Sequence, residues 1–356
     1  MLNARPNTFV SRALSSHVVL ATALLTAVSL APNVMATENT HTSKAQTLTV
    51  TADNFSHAET ARNYRNWTSK GANSQFVIMQ NLPPRGKAAP TVQMNDDTLY
   101  GVAIVKAKNG KVSFSIPETD NYLAVQVVTE RGHGQHYVVE DGVYELAVES
   151  EYAMLIYRSG TEKGIQHAVE QLDKVNVADF NFATDYQVQP YNYDEVETWV
   201  QNYTKEVNSM DKFTYTFPRT SEQVTDLHHW NLENAAGWGG ASPEAFVGNK
   251  YANSAKLKAN VCYSATFNDP QNKFFTSITA YDSDKYLMEG VRHISSNTWD
   301  TNQDGTITVS FNCGDSAKNN IDTKGQDFTF TTRHYGVNPS VMKAKDDPII
   351  AGLKQS

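Results

Sequence analysis

Apolar residues along this chain first recur every third or fourth position, then alternate, then return to helical spacing, and finally alternate again. The first stretch is Phe55, Ala58, Ala61, Tyr64 and Trp67. That spacing predicts a helix over residues 54–70 with one apolar stripe. Asp53 is its natural N-cap, and Ser56 with Glu59 has capping-box spacing. From residue 91 to 158 the period falls to two. The runs VAIVKA, KVSFSI, YLAVQVV, QHYVV and YAMLIYR predict antiparallel strands. Asn109-Gly110 lies between the first two runs and accepts the positive φ angles of a tight turn, which predicts a hairpin.

Helical spacing returns with Ile165, Ala168, Val169 and Leu172, and more strongly with Val196, Trp199, Val200, Tyr203 and Val207 behind the cap Asn192. A third helical segment is predicted over 221–236, stopped by Gly237-Trp238-Gly239-Gly240. Strands over 257–267, 274–281, 306–311 and 327–335, parted by Gly- and Asn-rich turns, predict a sandwich. The fold class expected is therefore α+β. An N-terminal α+β domain over 51–175 is β-rich with a leading helix. A helical connecting segment spans 176–250, and an antiparallel, jelly-roll-like β-sandwich domain spans 251–356.

Residues 1–36 predict an address rather than part of the fold. Arg5 and Arg12 form a positive start, and residues 18–30 form an apolar core, VVLATALLTAVSL. That core is shorter than the roughly 20 apolar residues of a comfortable membrane span. Val34-Met35-Ala36 predicts cleavage after Ala36, leaving a flexible leader over 37–50. The expectation is an exported protein, periplasmic or secreted, with no membrane span after cleavage.

Composition narrows the function. Hydrophobic residues make up 40%, aromatics 10% and charged residues 19%, which is a globular balance and not a disordered one. The formal charge of −8 argues against a nucleic-acid partner, which needs a basic face. Export permits disulfides, and the only cysteines, Cys262 and Cys313, allow either one bridge or two buried thiols.

Four segments carry candidate chemistry. In Asn95-Asp96-Asp97-Thr98-Leu99-Tyr100, Asp97 with Tyr100 suits acid–base work, and Asn95 and Thr98 suit ligand contacts; ordinary turn chemistry explains the same residues. In Arg131-Gly132-His133-Gly134-Gln135-His136-Tyr137, His133 and His136 are candidate ligands for a divalent metal, and the alternative is a loop of hydrogen-bonded histidines. Trp238, set among glycines, suits stacking on a ligand ring or plugging an interface, and the nearby His228 and His229 diverge on any helix. Residues 300–305 open like a calcium loop, but Phe311 stands where the bidentate Glu belongs, so Asp304-Gly305 reads better as a turn. No Walker loop, dinucleotide fingerprint, zinc-protease motif or nucleophile elbow is present.

The blocks Asp53-Asn54-Phe55 with Ala58-Glu59-Thr60, Asn95-Asp96-Asp97-Thr98-Leu99-Tyr100, His136-Tyr137, Gly237-Trp238-Gly239-Gly240 and Thr279-Ala280-Tyr281-Asp282 resemble an exported two-domain family. Its halves are the domains of unknown function 1254, N-terminal, and 1214, C-terminal. The resemblance runs from about Thr51 to Tyr335 and implies an α+β unit followed by a jelly-roll-like sandwich, with no established activity. Departures occur at Leu227-His228-His229-Trp230 and at Ala241-Ser242-Pro243.

Three functions are compatible with these residues. The first is binding of a small polar or glycan-like ligand in an inter-domain cleft, with Asn95, Thr98, Tyr137 and Trp238 as contacts. The second is a hydrolase or lyase using Asp97, Tyr100 and His136. The third is a subunit of a structural homo-oligomer.

Overall fold

The structure, a computed structural model, describes residues 47–89, 92–132, 135–207, 217–237, 242 and 244–355. The predicted address and cleavage point, His133 and Trp238 lie outside the described residues. In chain order, α1 (Phe55–Thr68) precedes β1 (Val77–Ile78), β2 (Thr98–Lys106), β3 (Lys111–Ile116), β4 (Leu123–Thr129), β5 (His136–Val138), β6 (Gly142–Ala147) and β7 (Tyr152–Gly160). Then come α2 (Ile165–Asp173), α3 (Tyr193–Val207) and α4 (Leu227–Ala235). The C-terminal part holds β8 (Asn249–Asn253), β9 (Tyr263–Phe267), β10 (Phe275–Asp282), β11 (Ile294–Ser295), β12 (Ile307–Phe311), β13 (Asn320–Ile321) and β14 (Phe328–Tyr335). It ends with α5 (Pro339–Lys343), α6 (Pro348–Ala351) and β15 (Leu353–Gln355).

The apolar stripe of α1 is buried as its spacing requires, but the capping differs from expectation. Asn54 is the N-cap and makes no side-chain cap bond. Its amide instead ties the preceding loop, accepting from Thr51 N and donating to Thr49 O. Glu59 turns to Arg62 and Asn63 rather than back to the helix start.

The first sheet has strand order β1-β2-β7-β4-β5, antiparallel throughout. Both faces are covered, so its central strands read as continuous apolar runs rather than a clean alternation. One face carries Leu99, Ala103, Val105, Leu123, Val125, Val127, Leu155 and Tyr157 against α2 and the β3–β6 ribbon. The opposite face packs Val102, Ile104, Val128 and Met154 against Tyr64 of α1.

Asn109 and Gly110 do take positive φ, 54° and 72°. The turn they make does not lead to a long β2–β3 hairpin. Beyond a single Lys108–Lys111 bridge, β3 leaves the sheet and pairs with β6, from Lys111 opposite Ala147 to Ile116 opposite Gly142. The reason is burial: Val112, Phe114 and Ile116 cover the apolar face of the larger sheet.

The C-terminal part is a sandwich of two four-stranded sheets, β11-β10-β14-β8 and β13-β12-β9-β15. Pairing is antiparallel except for β12 with β13. Ile278, Ala280, Phe328 and Phe330 of the first sheet meet Ala265, Phe267, Val309 and Phe311 of the second. Cys262 and Cys313 are joined in a disulfide. Residues 300–305 form a tight turn into β12, with Gly305 at φ +83° and Asp304 Oδ1 accepting from Thr306 N and Oγ1.

Candidate functional site

Alternation along a strand sends successive side chains to opposite faces. On β10 and β14, one parity fills the sandwich core. The other parity presents Phe275, Ser277, Thr279 and Tyr281 beside Thr329, Thr331, Arg333 and Tyr335, and β8 adds Asn249, Tyr251 and Asn253 in register. This outer face is almost wholly polar, and yet its middle is buried. Ser277, Thr279, Thr331 and Arg333 are at most 4% exposed. What covers it is the face of the first sheet that carries Tyr122 and Tyr137. The Tyr122 ring lies 5.3 Å from that of Tyr335 and 5.5 Å from that of Phe275, and Asn249 Nδ2 donates to the Tyr137 hydroxyl at 3.0 Å. A polar seam therefore runs between the two sheets.

The turn before β2 enters this seam. Asn95 Oδ1 accepts from Asp97 N at 2.5 Å and Thr98 N at 3.1 Å, the side-chain-to-backbone turn its residue type favours. Its amide donates to the Tyr335 hydroxyl at 2.7 Å. Asp97 Oδ2 accepts from Ser277 Oγ at 2.6 Å and from Tyr335 at 3.0 Å. Asp96 Oδ2 pairs with Arg85 at 3.0 Å. His293 faces both acids, Nδ1 at 3.3 Å from Asp96 Oδ2 and Nε2 at 3.6 Å from Asp97 Oδ1. Burial alone would lower the His293 pKa, but the charges of Asp97 and Asp96 outweigh it and hold it above its ordinary value.

Two buried arginines lie further along the seam. Arg158 sits across from Tyr100 on β7, its guanidinium 5.7 Å from the Tyr100 ring and 5.9 Å from that of Tyr137. It donates to Gln126 Oε1 at 2.6 Å. Arg333 sits across from Tyr251, 5.7 Å from its ring, and donates to Thr279 Oγ1, Gln93 O and the Tyr281 hydroxyl. Tyr251 lies within electrostatic reach of both arginines. Burial pushes its pKa up to about 12, against the pull of Arg158 and Arg333.

The seam thus gathers Asn95, Asp97, Thr98, Tyr100 and Tyr137 from among the residues singled out in the sequence. It does not gather His136. In the strand register, Tyr100, Arg158, Gln126 and Tyr137 share one face, and His136, next along β5, points to the other. Two strands, β7 and β4, separate β2 from β5, which is about 14 Å at the usual strand spacing. An Asp97–Tyr100–His136 catalytic trio is therefore not assembled.

Metal ligation by His136 meets a second obstacle. Nε2 lies 2.7 Å from Ala147 O and Nδ1 lies 2.6 Å from the Arg219 guanidinium. The carbonyl only accepts and the guanidinium only donates. The ring is therefore the neutral Nε2–H tautomer, with both nitrogens engaged. Burial, aided by the Arg219 charge, lowers its pKa despite the bond to Ala147. Among the described residues, no three His, Cys, Asp or Glu side chains form a group that could hold a metal ion. His228 and His229 diverge as expected, toward Glu206 and Glu233.

Arg158, Arg333, Tyr251, His293, Ser277 and Tyr335 were not singled out in the sequence. The signal that could have found the last ones is the alternation in FTFTTRHY, which puts Arg333 and Tyr335 on one face with two threonines.

Residues 73–140 match a family described as "Protein of unknown function (DUF1254)". No curated protein matches the sequence. Among solved structures, a Vibrio parahaemolyticus protein is similar over 86% of this chain and 98% of its own, with 14% identity and a TM-score of 0.57. A Burkholderia cenocepacia protein, titled putative and uncharacterized, is similar over 80% of this chain and 85% of its own, with 13% identity and a TM-score of 0.45. The first likeness shows a shared fold.

Proposed function

We propose that this is an exported binding protein for a small, hydroxyl-rich polar ligand of glycan-like chemistry, held in the seam between the first sheet and the polar face of the sandwich. One observation carries the reading. Asp96 Oδ1 and Thr98 Oγ1 on one side, and Asn249 Oδ1 on the other, are buried without a hydrogen-bond partner among the described residues, and Asp97 Oδ1, likewise without a hydrogen bond, has His293 Nε2 at 3.6 Å. Leaving such a group unbonded costs about 1–3 kcal/mol, and native proteins keep few of them. Acceptors gathered at one seam suit a ligand that supplies hydroxyl donors. The half-buried rings of Tyr100 and Tyr251 suit the apolar face of a sugar.

Export belongs to the same proposal. Arg5, Arg12 and the apolar run over 18–30 support it, and the Cys262–Cys313 bridge favours an oxidising compartment. We also read the sandwich as the counterpart of the domain of unknown function 1214, supported by its two-sheet architecture.

A melting-temperature screen tests the binding reading, using monosaccharides, polyols, sugar acids and sugar phosphates on the mature chain. At least one class should raise the melting temperature, and Tyr251→Ala should abolish that shift. A flat response across the whole screen contradicts it. A second reading, hydrolysis or elimination, is favoured by the facing of Asp97 and His293. Turnover of a bound ligand that disappears in Asp97→Asn while binding persists supports that reading, and a ligand recovered unchanged opposes it.

A further inference from the structure

The two arginines say more about the ligand than the unbonded acceptors do. Arg158 and Arg333 are 5% and 3% exposed. Arg158 donates to Gln126, which leaves Arg333 as the decisive one: burying a guanidinium is costly unless its charge is met. The Asp97 carboxylate partly meets the charge of Arg333, but each hydrogen bond of Arg333 among the described residues goes to a neutral oxygen: Thr279 Oγ1 at 3.0 Å, Gln93 O at 3.2 Å and the Tyr281 hydroxyl. A guanidinium has five N–H donors, so these bonds leave two for another acceptor. Arg158 approaches the same seam from the opposite sheet; the Tyr251 ring lies 5.7 Å from the Arg333 guanidinium, and its hydroxyl accepts from Asn249, which also donates to Tyr137 near Arg158. The Tyr137 ring lies 5.9 Å from the Arg158 guanidinium, and its hydroxyl is bonded to Asn249 and Tyr122.

We infer that the ligand carries an oxyanion, a carboxylate or a phosphate ester, bound between Arg333 and Arg158 beside Tyr251. This rests on the binding reading above and adds the charge of the ligand to it. The planar fork of arginine bonds such groups through paired N–H donors, more strongly than neutral acceptors. Hydroxyls on the same molecule would meet Asp96 Oδ1, Asp97 Oδ1 and Asn249 Oδ1. The seam then offers guanidinium donors as well as acceptors, which distinguishes a sugar acid or sugar phosphate from the neutral sugar.

Calorimetric titration of the mature chain with glucose, glucuronate and glucose 6-phosphate at one fixed ionic strength tests this. At least one of the two anions should bind at least tenfold tighter than glucose. Glucuronate alone would identify the group as a carboxylate, and glucose 6-phosphate alone as a phosphate ester. Arg333→Gln should remove the preference for the anion, and Arg333→Lys should retain part of it. Should Arg333→Gln fail to fold, Tyr251→Phe, which keeps the ring and removes a hydroxyl, should weaken the anion more than glucose. Equal affinity for all three compounds, or a preference untouched by these variants, overturns the oxyanion while leaving the binding reading standing. No binding of any of the three also overturns it, and the wider melting screen then decides the binding reading separately.

Discussion

The hydroxyl of Tyr335 donates to Asp97 Oδ2 at 3.0 Å, joining residues 238 positions apart in the chain. Asn95, two residues before Asp97, donates to that same hydroxyl. The turn before β2 and the last long strand of the sandwich are thus held by one buried phenol. Tyr335→Phe should cost about 2 kcal/mol, the usual scale for a buried bond to a charged group. Urea unfolding checks this. A change below a few tenths of a kcal/mol would mean the bond contributes nothing.

His293 should make stability fall as pH rises. Its folded pKa lies above the ordinary 6.5 because Asp97 and Asp96 outweigh burial and the opposing charge of Arg333. The native state therefore holds the proton more tightly than the unfolded chain does. Its contribution is complete below pH 6.5 and is lost as pH climbs through the folded value. Unfolding free energies measured from pH 6 to 9 should decline, and the decline should shrink in His293→Gln. An identical slope in the variant would contradict the pairing.

His136 should act in the opposite direction and in a different window. Its folded pKa is lowered, chiefly by burial, so the unfolded chain binds the proton more tightly. Stability should fall as pH drops below 6.5. His136→Gln should reduce that acid sensitivity. The same variant should leave any zinc-dependent shift in melting temperature unchanged, since both ring nitrogens are already engaged. Zinc stabilisation that vanishes in this variant would refute the assignment.

Much of the fold was legible because burial imposes period. The stripe of α1 and the strands β2, β3, β4, β5, β7, β10, β12 and β14 follow from spacing; β6 and the short β1, β8, β11, β13 and β15 do not, and β9 begins only at Tyr263. The β2–β3 connection was not, because a tight turn at Asn109-Gly110 does not say which strands pair beyond it. Burial of Phe114 decides that. The seam was half legible. Asn95 and Asp97 stood out as polar residues before an apolar strand. Arg158 and Arg333 did not, because a polar residue on alternate strand positions reads as solvent-facing until the covering sheet is known. His136 stood out for its chemistry, yet the face it occupies follows from the register of three neighbouring strands.

The Cys262–Cys313 bridge closes a segment spanning 51 positions. On loop entropy it should contribute about 4 kcal/mol. Unfolding with and without dithiothreitol measures this, and the Cys262→Ser/Cys313→Ser double variant should match the reduced protein. Two titratable thiols in denatured, unreduced protein would contradict the bridge.

The binding seam is tested most directly by native mass spectrometry of the untagged chain from Thr37 onward, exposed to a small-molecule extract and then desalted, beside Tyr251→Ala treated identically. One added small organic mass per chain should appear in the wild type, released on unfolding and absent from the variant. A wild-type spectrum at the bare chain mass, or an adduct carried equally by both proteins, would contradict it.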